Sequence, residues 1–494
     1  MDREKLDEAI GGIRDEFVEE ADARIAPIRR SRKKQIVAGI TALAACAALV
    51  LTYSNFNGRE KDDSKISYDS ASFDAQAAKT EAASSSADGT ENVGNTQENS
   101  AVYQTLSLTK GYKASADAAG AQVDDKFRDG MLEFSFNLFR ENAATDTDHE
   151  NALLSPASVM LALGMTENGA SGNTLTQMEK VLGNLTNSEM NPYMHTLTAR
   201  WSNDTCNTAN SIWYRSDSFA TLDVSKKFLQ TNADFYSADA FAAPFDNTTL
   251  AAINQWVSDR TDGEITDTLD KIPNDAAMYL INTVVFEADW EFQYEKSDVQ
   301  KRVFHAADGT TQSDVEYLIK SSEELFYLKD ADTTGFSRPY KDDYSFIALL
   351  PNEGTSIDDY VQSLTAEKVK NLLDTKTKQS VTSCIPKFSY EDDSELKSAL
   401  SAMGMKDAFA GEADFSRMTD DPLDKLLINN VFHKTFIRMT ENGTKAGAVT
   451  VAEVGYGGAD PEKAKTVDLN RPFVYMIYDN KTGLPVFIGT VYEI

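Results

Sequence analysis

Hydrolytic chemistry needs a nucleophile, a base within reach of it and a group that orients the base. For that base the sequence offers four histidines, His149, His195, His305 and His433. None of them lies in a GxSxG, HExxH or Cys/His context, and no Walker-type or GxGxxG glycine run opens a helix. His149 sits in a polar stretch. His433 sits in an apolar extended run, where a hydrogen-bonded core histidine is the simpler role. Acidic pairs such as Asp392–Asp393 belong to a chain with 78 acidic residues, so they read as solvated surface. Cys46, Cys206 and Cys384 are the only cysteines and form no CxxC or metal spacing. Two reduced core thiols at Cys206 and Cys384, or one bridge between them, both stay open. No catalytic residue, metal or cofactor is expected, and the chain reads as no enzyme.

One segment reads instead as something an enzyme acts on. From Glu441 to Val454 the sequence alternates. Thr444, Ala446, Ala448, Thr450, Ala452 and Val454 share one face, and the charges of Lys445 and Glu453 fall on the other. That is a strand with a buried face of small residues. It runs into Gly455-Tyr456-Gly457-Gly458-Ala459-Asp460-Pro461-Glu462-Lys463, a stretch whose composition suits an exposed, cleavable loop. The plainer alternative is a strand that leads into an ordinary surface loop.

The elements that must position this segment are legible in outline. With 494 residues, 41% of them hydrophobic, the chain can bury one large core and carry appendages. A net charge of -30 repels nucleic acid and anionic lipid, so neither is an expected ligand of the folded part. Residues 1–35 form a charged cytoplasmic segment, with Leu6, Ile10, Ile13 and Phe17 at helical spacing. The basic cluster Arg29, Arg30, Arg32, Lys33, Lys34 then precedes an uncharged apolar run over 36–53, long enough to span a bilayer. Basic residues on its N-terminal side orient everything beyond Tyr53 outward. The alternative anchor is a lipid on Cys46, after Leu43-Ala44-Ala45. Residues 54–103 are polar and aperiodic, a flexible spacer.

A folded domain over 104–494 follows. Helices are expected over Met131–Phe139, Ala152–Leu163 (entered through Ser155-Pro156) and Gln177–Leu182. Strands are expected over Tyr279–Phe286, Phe346–Leu350, Phe432–Met439, Phe473–Tyr478 and Leu484–Val491. Helices first and strands last predict an α+β domain.

Dispersed motifs in this domain resemble the serpin family, in the family's order. They include Ser155-Pro156, Gly169-Ala170, Ile253-Asn254-Gln255-Trp256-Val257, Leu280-Ile281-Asn282-Thr283, Trp290, Pro339-Tyr340, Ile385-Pro386-Lys387-Phe388, His433-Lys434, the Glu441 region and Arg471-Pro472-Phe473. The resemblance implies helices packed around a large mixed β-sheet, with further sheets and an exposed reactive loop. It also implies a suicide inhibitor: a serine-type protease forms its acyl-enzyme on the loop, and the loop then inserts into the sheet and traps it. The alternative is a non-inhibitory cell-surface binding protein on the same scaffold.

Carried over residue by residue, the hinge comprises Glu441, Gly443, Thr444, Ala446, Ala448 and Thr450. Thr444 is expected to be the first side chain buried on insertion. Ser155, Ser158, Asn282 and His433 match the polar cluster beneath the opening sheet, and Trp290 the residue near the entry point. Counting about sixteen residues forward from Glu441 puts the cleaved bond at Gly457-Gly458, beside Tyr456. Cleavage after Tyr456 suits a chymotrypsin- or subtilisin-like protease, after Val454 or Ala459 an elastase-like one, and after Lys463 or Lys465 a trypsin-like one. The expected partners are such a protease and the membrane, through the N-terminal anchor, with the protein acting as a monomer.

Overall fold

The computed structural model describes residues 105–494, except 146–148, 217–222, 262, 264, 267–268, 274–275, 277, 421–425 and 445–463. The segments expected over 1–35, 36–53 and 54–103, with Cys46, lie outside the described residues. So do Ala446, Ala448, Thr450, Val454, Tyr456, Gly457, Gly458 and Ala459. Among the described residues no helix is long and apolar enough to cross a membrane.

Nine helices stand among the described residues: α1 (Asp125–Thr145), α2 (Pro156–Glu167), α3 (Gly172–Val181), α4 (Asn187–Arg200), α5 (Lys226–Phe235), α6 (Asn247–Arg260), α7 (Ile357–Ser363), α8 (Ala366–Asp374) and α9 (Lys397–Met403). The strands are β1 (Leu106–Ser107), β2 (Ala152–Leu154), β3 (Cys206–Arg215), β4 (Asp239–Ala243), β5 (Met278–Phe286), β6 (Ala288–Asp289), β7 (Val299–His305), β8 (Thr311–Lys329), β9 (Thr333–Pro339), β10 (Tyr344–Pro351), β11 (Thr377–Pro386), β12 (Ser389–Glu395), β13 (Val431–Arg438), β14 (Gly443–Thr444), β15 (Lys465–Asp468), β16 (Phe473–Asp479) and β17 (Leu484–Val491).

The helix expected from Ala152 begins instead at Pro156, because Ala152–Leu154 pair with β17 as a strand. Ser155 caps the helix by accepting the Ser158 N–H at 3.3 Å, and Pro156 fits the first turn, where no N–H is needed. Every residue of α2 is buried, as its nearly continuous apolar sequence requires. The helix expected over Gln177–Leu182 starts earlier, at Gly172. All five expected strands are present as β5, β10, β13, β16 and β17.

One sheet runs β1-β4-β3-β5-β13-β12, and a larger one runs β15-β11-β8-β9-β10-β16-β17-β2 with β7 beside β8. The first is mixed: β3–β4 and β5–β13 are parallel, while β3–β5 and β12–β13 are antiparallel. Strand β5 is covered on both faces. Met278, Leu280, Val284 and Phe286 join the main core with α2, while Tyr279 and Ile281 pack with Ile253 and Val257 of α6. Period two therefore sends Asn282 to the α2 side. Strand β13 alternates as strictly, burying Val431, His433, Thr435 and Ile437 and turning Arg438 outward. Cys206 and Cys384 are both free and buried thiols.

Candidate functional site

Strands β5 and β13 run parallel as neighbours, but their register comprises only Leu280–Val431, Ile281–Phe432 and Asn282–His433. β5 then continues to Phe286 and β13 to Arg438. Between those diverging ends lies a seam lined by Phe286, Phe436, Ile437, Thr444, Ile477 and Phe487. Two parallel strands that separate in this way offer facing edges to one antiparallel strand, which can hydrogen-bond to both.

The chain leaving β13 makes the first reversal toward that position. Met439 bridges antiparallel to Thr444, and the Thr440 N–H and hydroxyl both donate to the Gly443 carbonyl at 2.9 Å. Gly443–Thr444 then pair antiparallel with Asp289–Ala288, just beyond the end of β5. Only glycine fits at 443: a Cβ there would lie 2.0 Å from the Ala288 carbonyl oxygen. Thr444 is 2% exposed and shares a 2.6 Å hydrogen bond with the Tyr340 hydroxyl. The expectation that Thr444 awaits burial on insertion is thereby corrected, since its side chain already occupies the mouth of the seam.

The turn is held from two sides. Trp290, fully buried and stacked on Tyr340 with ring centroids 4.2 Å apart, donates its backbone N–H to Asn442 O at 2.9 Å and its Nε1–H to Thr440 O at 3.0 Å. Tyr294 N–H donates to Glu441 O at 3.1 Å. The Glu441 carboxylate lies 3.0 Å from Lys387 Nζ, which also reaches Glu316 at 2.9 Å. Its own backbone N–H and the Lys387 ammonium hold the Glu441 carboxyl below the usual carboxylate range.

Ser155, Ser158, Asn282 and His433 lie together, with Asn282 opposite His433 in the β5–β13 register and Ser158 N–H on the Ser155 hydroxyl. The Ser155 N–H donates to His433 Nε2 at 2.9 Å, and the Ser155 hydroxyl donates to Val486 O at 2.7 Å. Burial pushes the His433 pKa down to about 3, so the ring is neutral, with its proton on Nδ1 because Nε2 accepts. The Asn282 amide donates to Asn210 Oδ1. His433 Nδ1, Asn282 Oδ1 and Ser158 Oγ are buried without a hydrogen-bond partner. Such spare groups are costly unless another state of the protein satisfies them.

The sequence motifs include Tyr340 and Lys387 but give them no role in the site. Arg338 is not among them, and its one legible sign is a charge set between Phe336 and Tyr340 in an otherwise strand-like run. Lys465, weighed as a trypsin-type cleavage position, opens β15 in parallel register with Val381 and so sits in a ladder rather than an exposed loop. No cluster that could hold a metal occurs among the described residues.

The family model described as Serpin (serine protease inhibitor) matches residues 129–494. Human Serpin B3 is 30% identical over 388 residues, which cover 72% of this chain and 96% of that protein. An uncharacterised serpin-like protein of Thermococcus kodakarensis is 28% identical over 409 residues, 78% of this chain and 89% of its own. Among solved structures, the thermophilic serpin tengpin in its native state superposes with a TM-score of 0.73 at 41% identity, covering 79% of this chain and 100% of that one. In its latent state the same protein gives a TM-score of 0.66 over 76% of this chain and 100% of that one.

Proposed function

This chain belongs to the serpin family of serine protease inhibitors, and on that premise we propose that it acts outside the cell as a suicide inhibitor of serine-type proteases. The observation that carries the reading is the end of β5–β13 pairing at Asn282–His433, short of both strand ends, with the chain already reversed at Gly443–Thr444. A protease serine attacks a carbonyl within residues 454–459, the peptide bond breaks, the new amine leaves with the C-terminal fragment, and an ester joins loop to enzyme. The freed N-terminal part of the loop then enters the seam as an antiparallel strand. Its small alternating side chains, Ala446, Ala448 and Thr450, suit a covered face, and the spare groups of His433, Asn282 and Ser158 lie where it would pass. Drawn away from its substrate channel, the protease is distorted before water resolves the ester. Tyr456 favours a chymotrypsin- or subtilisin-like target, with an elastase-like one next. The serpin domain is residues 104–494. It stands outside the cell at the end of the 54–103 spacer, tethered by the 36–53 anchor, and works as a monomer.

The test is to incubate residues 104–494 with a panel of such proteases. An SDS-stable adduct is expected, with release of a C-terminal fragment whose new N-terminus falls between Gly455 and Lys465. Cleavage without an adduct across the panel overturns trapping and points to a non-inhibitory binder. On intact cells, added protease should shed the domain by cutting within 54–103. Protection until lysis reverses the proposed orientation.

A further inference from the structure

We propose that Arg338 is a positioning residue for the hinge, one that sets how readily residues 440–444 are released toward the seam; the inference rests on the loop-insertion reading above. Arg338 is the penultimate residue of β9 and is 1% exposed, the most deeply buried cation among the described residues. Its guanidinium pairs with Glu323 of β8, itself only 14% exposed, and donates from the other nitrogen to the Phe292 carbonyl at 2.6 Å. It also lies 4.3 Å from the Tyr294 ring centroid and 5.3 Å from that of Trp290.

Stability does not account for this pair. Taking two charges out of water costs as much as their attraction returns, and apolar replacements of buried pairs are commonly neutral or stabilising. The planar fork of the arginine does something a hydrophobic side chain cannot. One arm is fixed by Glu323 and the other by the backbone of segment 290–294, with the aromatic faces of that segment resting on the cation. The same segment gives the hinge its three donors: Trp290 N–H to Asn442, Trp290 Nε1–H to Thr440 and Tyr294 N–H to Glu441. Glu291 N–H to Pro339 O ties this segment to β9 itself, and Lys341 N–H to Asp289 O joins the residues flanking the two. Segment 290–294 is thus a clamp with the hinge on one side and Arg338 on the other. Loosening the arginine loosens three consecutive hinge carbonyls together.

Replacing both charges, Arg338→Met with Glu323→Met, leaves no orphaned ion and is expected to fold. In that variant the amides of Trp290 and Tyr294 should exchange with deuterated solvent at least tenfold faster, while those of β3 and β5 keep their protection. On standing, the intact variant should lose inhibitory activity at least tenfold faster than the parent as its loop inserts without cleavage. Arg338→Lys keeps an ion pair but cannot span Glu323 and Phe292 together, so it should fall between the two. Parent-like exchange at both amides in the double variant, or parent-like persistence of inhibition, overturns the proposal. If the parent forms no adduct with any protease, the inhibitor reading fails on its own, and amide exchange still decides whether Arg338 holds the clamp.

Discussion

A neutral imidazole buried among backbone donors is the most pH-sensitive part of this site. His433 is expected to titrate near 6.5 when unfolded and at about 3 in the folded protein, so between those values the unfolded chain binds the extra proton. Stability from this residue is present in full above pH 6.5 and is lost as pH falls toward 3, by up to about 1.4 kcal/mol per pH unit. Carboxyls depressed by hydrogen bonds, such as Glu189 at about 2, add losses at lower pH. The buried Glu167, raised well above the usual range by desolvation, acts in the opposite sense. Comparison with His433→Gln cancels those contributions. The parent should take up nearly one more proton on unfolding at pH 5 than the variant does, as measured by the pH dependence of the denaturant midpoint. Equal uptake would show that His433 is charged in the fold.

Among the elements, the two-residue pairing of β14 with β6 decides where the loop begins. Its closeness depends on a missing side chain, since a methyl group on residue 443 would strike the backbone of Ala288 and Asp289 at 2.0 and 2.8 Å. Gly443→Ala must therefore pry β14 from β6 or shift both, an overpacking cost of about 1–3 kcal/mol. The variant is expected to fold with a lower melting temperature and to need more inhibitor molecules per protease trapped, because a displaced hinge enters the seam late. Titration of a fixed amount of protease measures that ratio, and a value equal to the parent's would mean the β14–β6 pairing plays no part in insertion. The neighbouring Lys387–Glu441 pair is partly exposed and screened, so its loss should matter less.

Over the whole molecule, the proposed insertion would complete the mixed sheet. The β5–β13 register ends at Asn282–His433, and His433 Nδ1, Asn282 Oδ1 and Ser158 Oγ are buried without a hydrogen-bond partner. Insertion adds on the order of ten ladder hydrogen bonds, each contributing about 0.5–1.5 kcal/mol net. Loop-cleaved protein should accordingly melt far above the intact form in a calorimetric scan, and the gain should vanish when Ala446 and Ala448 are replaced by arginine, which bars entry of the covered face. Unchanged melting after cleavage would exclude insertion for this protein.

Much of this was legible without coordinates, because local chemistry repeats itself along the chain. Extended apolar runs marked β5, β10, β13, β16 and β17, Ser155-Pro156 marked the helix α2 though its start was read at Ala152, and motif order marked the serpin family. What the sequence could not determine is what depends on groups far apart in the chain. Ala152–Leu154 are as apolar as the helix that follows them, and only the edge of β17 makes them a strand. Thr444 belongs by pattern to the face expected to become buried on insertion. Its contact with Tyr340, 104 positions away, places it already inside. No local pattern marks Arg338 as buried, and only the fold brings Glu323 and the Phe292 carbonyl to its guanidinium. Burial and pairing of polar groups are properties of tertiary neighbours, and so the state of the hinge, unlike its location, belongs to the folded structure alone.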